Sequence, residues 1–279
     1  MINNIAARGF RGSWSVRVAA SILILMGMMA IFAPWLNTVD PTYLDPSVRL
    51  RGPSETHWLG TDALGRDLYS RIVYGTRVSF LIGFGVLALT LVFGVLFGAL
   101  AGYFPILDTI IMRVMDGIMA IPGILLAIAL VAMSGSSLTT VLIAIAIPEI
   151  PRMSRLVRGV ILSVRNEPYV EAALTQGTPT RVILFKHMFP NTFAPLIVQG
   201  TYVFASAVLL EAILSFLGAG IPPEIPSWGN IIAEGRMYFQ LIPGLVLYTG
   251  AFLSLTILSI NLLGDALRDA LDPKLASRL

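Results

Sequence analysis

Val78 to Leu107 contains no charged residue. A segment needs roughly 20 mostly apolar residues to cross the hydrocarbon of a bilayer as a helix, so this stretch is long enough to do so. Val18 to Leu36 is a second uncharged run. Arg8, Arg11 and Arg17 precede it as in a secretory signal, but the run is too long for a cleavable core and no small-x-small site follows. It is therefore expected to stay as an uncleaved first transmembrane helix. Across 279 residues the chain is 56% hydrophobic and 13% charged, with a mean hydropathy of +0.81. That composition belongs to a polytopic membrane protein, not a soluble domain.

Taken in order, residues 1–14 are polar and basic, and the first transmembrane helix is expected over 15–36, with Trp35 at an interface. Residues 37–77 carry Pro41, Pro46, Pro53 and mixed charge, and read as an external segment. A core over 78–264 holds five more spans, about 78–107, 109–133, 138–161, 191–216 and 241–264. Gly94, Gly98 and Gly102 repeat every fourth residue, a small-residue face for close helix packing. Pro148 and Pro151 should kink the fourth span or end its membrane part. Residues 162–190 form a polar loop, and 265–279 a polar tail. The expected fold is thus all-α, with six transmembrane helices and both termini on one side. Thirteen of the 19 Lys and Arg fall on the side of the termini, and six (Arg49, Arg51, Arg66, Arg71, Arg77, Arg236) on the other. The excess of basic residues marks the cytoplasmic side, which places both termini and the 162–190 loop there and the 37–77 segment outside.

The sequence offers no catalytic residue. Lys186 follows Phe185 and Lys274 follows Pro273, so no Gly-Lys-Ser/Thr phosphate cradle exists. His-Glu-x-x-His and Gly-x-Ser-x-Gly are absent. With no cysteine and two distant histidines, His57 and His187, no metal site is expected. A net charge of +3 without a basic, aromatic-laced stripe argues against nucleic acid. Three acids fall within spans: Asp116, Glu149 and Glu211. Asp116 is expected to pair with Arg113, and Glu149 to bind backbone groups freed by its flanking prolines. Their scatter over different depths argues against a proton relay.

The polar loop has internal order. Tyr169 to Gln176 reads as a short helix after Pro168, ended by Gly177, and Thr178-Pro179 reads as the N-cap and first position of a second helix. Ala172 and Ala173 leave no bulk, so another surface can approach. Glu171-Ala172-Ala173, followed by Gly177, resembles the cytoplasmic coupling loop of ABC importer permeases. Three further stretches resemble the dipeptide, oligopeptide and nickel branch, in its C-type (second transmembrane) subunit. They are His57 to Asp67, continuing to Ser79; Glu211 to Gly218 with Pro226-Ser227-Trp228-Gly229; and Gly264 to Pro273. Thr178-Pro179 and Phe189-Pro190-Asn191 depart mildly from the family's small-residue pair and Leu-Pro-Asn.

The resemblance implies a type I ABC importer permease in a bacterial inner membrane, with Glu171, Ala172, Ala173 and Gly177 coupling it to an ATPase. It also implies a homologous B-type permease subunit, two ATPase subunits that carry the ATP and Mg, and a periplasmic substrate-binding protein, with no cofactor in this chain. Asp62, Gly65, Arg66 and Asp67 become candidates for docking the binding protein or shaping an outer gate, with Arg66 and Asp67 expected to satisfy each other's charge. Dipeptides or short oligopeptides are the first substrate class implied. Nickel chelates and other small solutes come second, and a proton-coupled carrier is the reading from a different class.

Overall fold

The computed structural model describes residues 14–271. Residues 1–13, with Arg8 and Arg11, and 272–279, with the Asp272-Pro273 end of the tail motif, lie outside the described residues. The described residues are helical apart from turns and a single isolated bridge, Thr61 to Asp67. In order the helices are α1 (Trp14–Ile31), α2 (Leu68–Tyr103), α3 (Pro105–Met119), α4 (Gly123–Ser134), α5 (Leu138–Arg165) and α6 (Pro168–Thr175). Thr180–Val182 then leads through a π-helical segment, Ile183–Met188, and a 3-10 turn, Phe189–Thr192, into α7 (Phe193–Phe216). The short α8 (Trp228–Gly235) and the long α9 (Gly244–Leu271) complete the chain.

Among the described residues, four helical runs are long and apolar enough to cross a membrane: α1, α2, Thr180–Phe216 and α9. The pair α3 and α4 makes a fifth if counted as one broken span. The expected single helix over 109–133 is in fact two helices meeting at 86°. Pro122 causes the break, because its ring disfavours helical geometry at Ile121 and removes a backbone donor. α5 has 28 residues but carries Glu149, Arg152, Arg155, Arg158 and Arg165, so it does not read as an apolar span.

The helix α5 runs through both Pro148 and Pro151. Packing supplies the reason, since neighbouring helices hold a proline-bearing helix in place inside a membrane protein. α5 runs parallel to α2 along the glycine face. A Cβ on Gly94 would lie 2.5 Å from the Met153 Cβ, one on Gly98 2.5 Å from the Ser154 carbonyl oxygen, and one on Gly102 2.7 Å from the Ile161 Cβ. The three glycines let the two backbones approach, and Ile82, Val86, Ile145, Met153, Val157 and Ile161 fill the seam.

Two helix limits also differ from expectation. α2 starts at Leu68 instead of Val78, because Asp67 caps it: its Oδ2 accepts from the Ser70 N–H at 2.8 Å. Arg71 and Arg77 mark the charged first turns of that helix, not a loop. α9 continues past Gly264 to Leu271, so the first part of the polar tail is helical.

The glycine seam generates a test. Gly98→Leu forces a side chain into the Ser154 backbone and the Val157 side chain, an overpacking cost of about 1–3 kcal/mol or more. The detergent-purified protein should melt several degrees lower. Gly27→Ala in α1, where a Cβ meets nothing within 4 Å, should leave the melting temperature unchanged.

Candidate functional site: a presented helix and an ion-paired cap

α2 has 36 residues and so spans about 54 Å. Its two ends carry the two groups of residues that the sequence singles out.

At the C-terminal end of α2, Tyr103 meets the polar loop: its carbonyl accepts from Arg165 Nη1 at 3.3 Å, and its hydroxyl lies 3.5 Å from the Thr180 Oγ1. α6 sits here. Pro168 occupies its first position, where a missing N–H costs nothing. Gly177 ends it with φ +72°, the left-handed conformation that favours glycine. The Gly177 N–H donates to the Leu174 carbonyl at 3.0 Å and the Thr178 N–H to the Ala173 carbonyl at 3.1 Å, the paired bonds of a Schellman motif. Thr178 is thus spent closing α6. It does not cap the next helix, as expected from sequence; that helix starts one residue later, with Pro179 at the cap position and no side-chain capping bond.

α6 has an inner and an outer face. Val170 and Ala173 are buried, whereas Glu171, Ala172, Leu174 and Gly177 are exposed. Of the two alanines expected to admit a neighbouring surface, only Ala172 faces outward; Ala173 packs inward. The Asn191 amide braces the joint to α7, donating to the His187 carbonyl at 2.8 Å and to the Tyr169 hydroxyl at 3.3 Å. Leu174, Tyr169 and Phe185 add exposed apolar surface around the helix.

At the N-terminal end of α2, the segment between α1 and α2 folds into a cap that brings Asp62, Gly65, Arg66 and Asp67 together. Asp62 Oδ1 accepts from the Leu64 N–H at 2.8 Å and the Arg66 N–H at 2.9 Å. Its Oδ2 accepts from Arg66 Nε at 2.6 Å and from Arg71 Nη1. Both arginines also reach Glu234 of α8, Arg66 Nη2 at 2.5 Å and Arg71 Nη1 at 2.6 Å. Two arginines and two carboxylates therefore neutralise one another, and Asp62, Arg66 and Arg71 are buried. Gly65 has φ +79°, and a Cβ there would fall 1.8 Å from the Asp45 carbonyl oxygen, so no side chain fits. The expected Arg66–Asp67 pair does not form. Asp67 instead caps α2 and accepts from, or shares a proton with, His57 Nδ1 at 3.0 Å.

Sequence reasoning missed Arg71 and Glu234. Arg71 falls in the stretch that reads as external loop from sequence, and Glu234 lies 163 residues away on a helix too short to signal a partner. α8 itself is held by Trp228, which is fully buried and donates from Nε1 to the Ile72 carbonyl at 3.3 Å. Ser227 caps α8 and donates to Glu211 of α7 at 2.8 Å.

The other acids also depart from expectation. Asp116 pairs with Arg155 of α5 at 2.6 Å, not with Arg113, and Asp108 takes a two-pronged contact from Arg158 at 2.5 and 2.7 Å. Glu149 accepts from Arg152 Nη1 at 3.1 Å and the Ser206 hydroxyl at 3.2 Å. A carboxylate cannot serve the carbonyls that a proline frees, since both are acceptors.

The sequence matches the family described as "Binding-protein-dependent transport system inner membrane component" over residues 94–277, more than half of the chain. It is 48% identical to the "Probable peptide ABC transporter permease protein y4tQ" of Sinorhizobium fredii, over 93% of this chain and 89% of that one. It is 46% identical to the dipeptide transport system permease protein DppC of Alkalihalophilus pseudofirmus, over 90% and 83%. It is 42% identical to the glutathione transport system permease protein GsiD of Pectobacterium atrosepticum, over 94% and 88%.

The cap yields two expected outcomes. Asp62→Asn leaves two buried arginines to share Glu234 and should destabilise the protein by about 3–5 kcal/mol, read as a fall in melting temperature. Burial pushes the Asp62 carboxyl up, but Arg71 and Arg66 outweigh it and hold the group below the ordinary carboxylate range. A depressed acid stabilises the fold above its unfolded pKa, and that stability is lost as pH falls through the folded value. Melting temperature should therefore stay level from about pH 7 to about pH 5 and drop below about pH 4, with a smaller acid-range drop in Asp62→Asn.

Proposed function

Because the chain belongs to the family of binding-protein-dependent transport system inner membrane components, we propose that it is the C-type permease subunit of a type I ABC importer for dipeptides or short oligopeptides. The single observation that carries this reading is the presented face of α6. Glu171, Ala172 and Gly177 stand exposed on a short helix locked at both ends to long helices. The peptide class is supported by the relatives named for peptide and dipeptide transport. The glutathione relative favours a second reading within the same class, a small peptide-like solute. A proton-coupled carrier falls away with the family assignment. The chain is the permease component and not the ATPase.

In this reading α5 supplies the sixth span. Its Arg152, Arg155 and Arg158 pair with Glu149, Asp116 and Asp108, so its charged inner half can sit in a bundle whose interior is not lipid. The α6 end faces the cytoplasm together with both termini, as the distribution of Lys and Arg implies. The cap faces the periplasm, where the buried Asp62, Gly65, Arg66 and Asp67 stiffen from beneath the surface that a substrate-binding protein meets. Arg66 and Asp67 act through the shape they impose on the cap, since neither charge is free.

Two ATPase subunits bind ATP and Mg, a homologous permease subunit completes the pathway, and α6 enters a groove on one ATPase. Closure of the ATPases moves α6. The Schellman bonds and the Asn191 brace pass that displacement to Thr180–Phe216 as a rigid-body shift, which needs no chemistry in this chain.

Gly177→Trp tests the assignment. A Cβ at Gly177 meets nothing within 4 Å, so the added bulk points at what docks on α6, although φ +72° strains any side chain placed there. The variant should insert into the membrane normally and lose binding-protein-stimulated ATP hydrolysis. Gly177→Ala imposes the same left-handed backbone without the bulk and should keep most of the coupling. Normal coupling in Gly177→Trp would contradict the docking role of α6.

A further inference from the structure

With α5 as the sixth span, as read above, Glu149 and Arg152 fall where a bilayer tolerates charge least. Glu149 is 11 residues into α5, and Ser206 is 10 residues from the end of α7, so both lie about 15–17 Å from the cap end. That is the middle of a hydrocarbon layer about 30 Å thick. The Arg152 side chain is 59% exposed, although its partner Glu149 is buried.

Other helices converge on the same place. Glu149, Arg152 and Ser206 line two adjoining cavities of 430 and 320 Å³. Each is within the size of a small-molecule site, about 300–1,000 Å³. The first is walled by the break between α3 and α4, around Ile121, Pro122 and Gly123. The second adds Gln199 and Tyr202 from α7 and Asn261 from α9. The Asn261 Oδ1 is buried without a hydrogen-bond partner. Along the helix axes these groups descend from mid-membrane toward the α6 end, a polar track in an otherwise apolar layer. The larger groove of 640 Å³ between α2, α7 and α9 is lined by four phenylalanines and aliphatic side chains, with Thr201 its single polar side chain, and offers no such track.

The geometry points to Glu149, Arg152 and Ser206 as a subsite on the substrate path that receives a zwitterionic peptide, with Arg152 taking its carboxylate and Glu149 its ammonium. The inference rests on the peptide-importer reading above. The guanidinium presents a fork of donors matched to a carboxylate, and an ionised glutamate is an acceptor for an ammonium. In the empty state the two charges satisfy each other. When a zwitterion enters, each exchanges its partner for the opposite charge on the substrate, so no bare charge is left in the membrane interior. Ser206 and the unpartnered Asn261 oxygen supply neutral hydrogen-bonding groups beside that exchange.

The test uses the whole transporter in proteoliposomes, with its binding protein and ATP, and radiolabelled Ala-Ala as probe. Arg152→Gln and Glu149→Gln should each lower uptake roughly tenfold or more while the complex still assembles and still hydrolyses ATP. A second measurement does not depend on those variants folding. The chain has no cysteine, so Ser206→Cys is the only thiol on it. That thiol should react with an anionic methanethiosulfonate, and Ala-Ala should slow the reaction during turnover. Val92→Cys, on the apolar groove, should stay unlabelled. If the wild-type complex imports Ala-Ala but both Gln variants match it, or if Ser206→Cys is unreactive or unprotected, the subsite is refuted and the importer reading stands. If the wild-type complex does not import Ala-Ala, the peptide reading fails instead, and labelling of Ser206→Cys still shows whether the track holds water.

Discussion

One unbroken helical run of 37 residues, Thr180–Phe216, joins everything this molecule does at one end to everything it does at the other. At its start, a glycine-ended loop ties it to α6. At its finish, Glu211 accepts from Ser215 and from Ser227, and Ser227 caps α8. α8 carries Glu234 into the arginines of the cap. A displacement of α6 therefore has a covalent and hydrogen-bonded route to the opposite surface. The run is not uniform, for it passes through a π-helical segment and a 3-10 turn at Pro190. Irregular turns of this kind are often hinges. Here the Asn191 amide and the buried Ile183 and Met188 brace the irregular stretch.

The remaining helices pack into a frame around that run. α2 and α5 lie in close contact along Gly94, Gly98 and Gly102, and the prolines of α5 are carried within that contact. The ion pairs from Asp108 and Asp116 to Arg158 and Arg155 fasten α3 to the same helix. The cap closes the other end with a balanced cluster of two arginines and two carboxylates. Such a cluster adds little net stability over an apolar core, but it fails severely if one member is removed. It therefore defines one shape for the cap instead of several.

Much of this was legible in the sequence because lipid imposes one simple demand, long uncharged runs, which Val78 to Leu107 meets plainly. Gly177 was legible for the same kind of reason, since a helix end and a glycine share one backbone conformation. The misses arose where a residue's partner is distant in the chain. Asp62, Arg66 and Arg71 could not be joined to Glu234 without the fold, and Asp116 could not be assigned to Arg155 over its nearer neighbour Arg113. The start of α2 is hidden in the sequence because charge resembles loop there, although capping by Asp67 carries the helix through Arg71 and Arg77. The proline break before α4 and the proline tolerance of α5 look alike in sequence. Only packing separates them.

The central claim is that α6 and Thr180–Phe216 move as one body when the ATPases close. Spin labels at two exposed positions, Thr175→Cys on α6 and Leu209→Cys on α7, can be placed cleanly in a chain without cysteine. Pulsed electron resonance on the assembled complex would compare their separation in the nucleotide-free and ATP-trapped states. The account predicts an unchanged distance distribution, while the distance from Thr175 to a label on the partner permease shifts. A change of several ångströms between Thr175 and Leu209 would mean that the joint at Gly177 or the π-helical segment bends, and the lever account would be wrong.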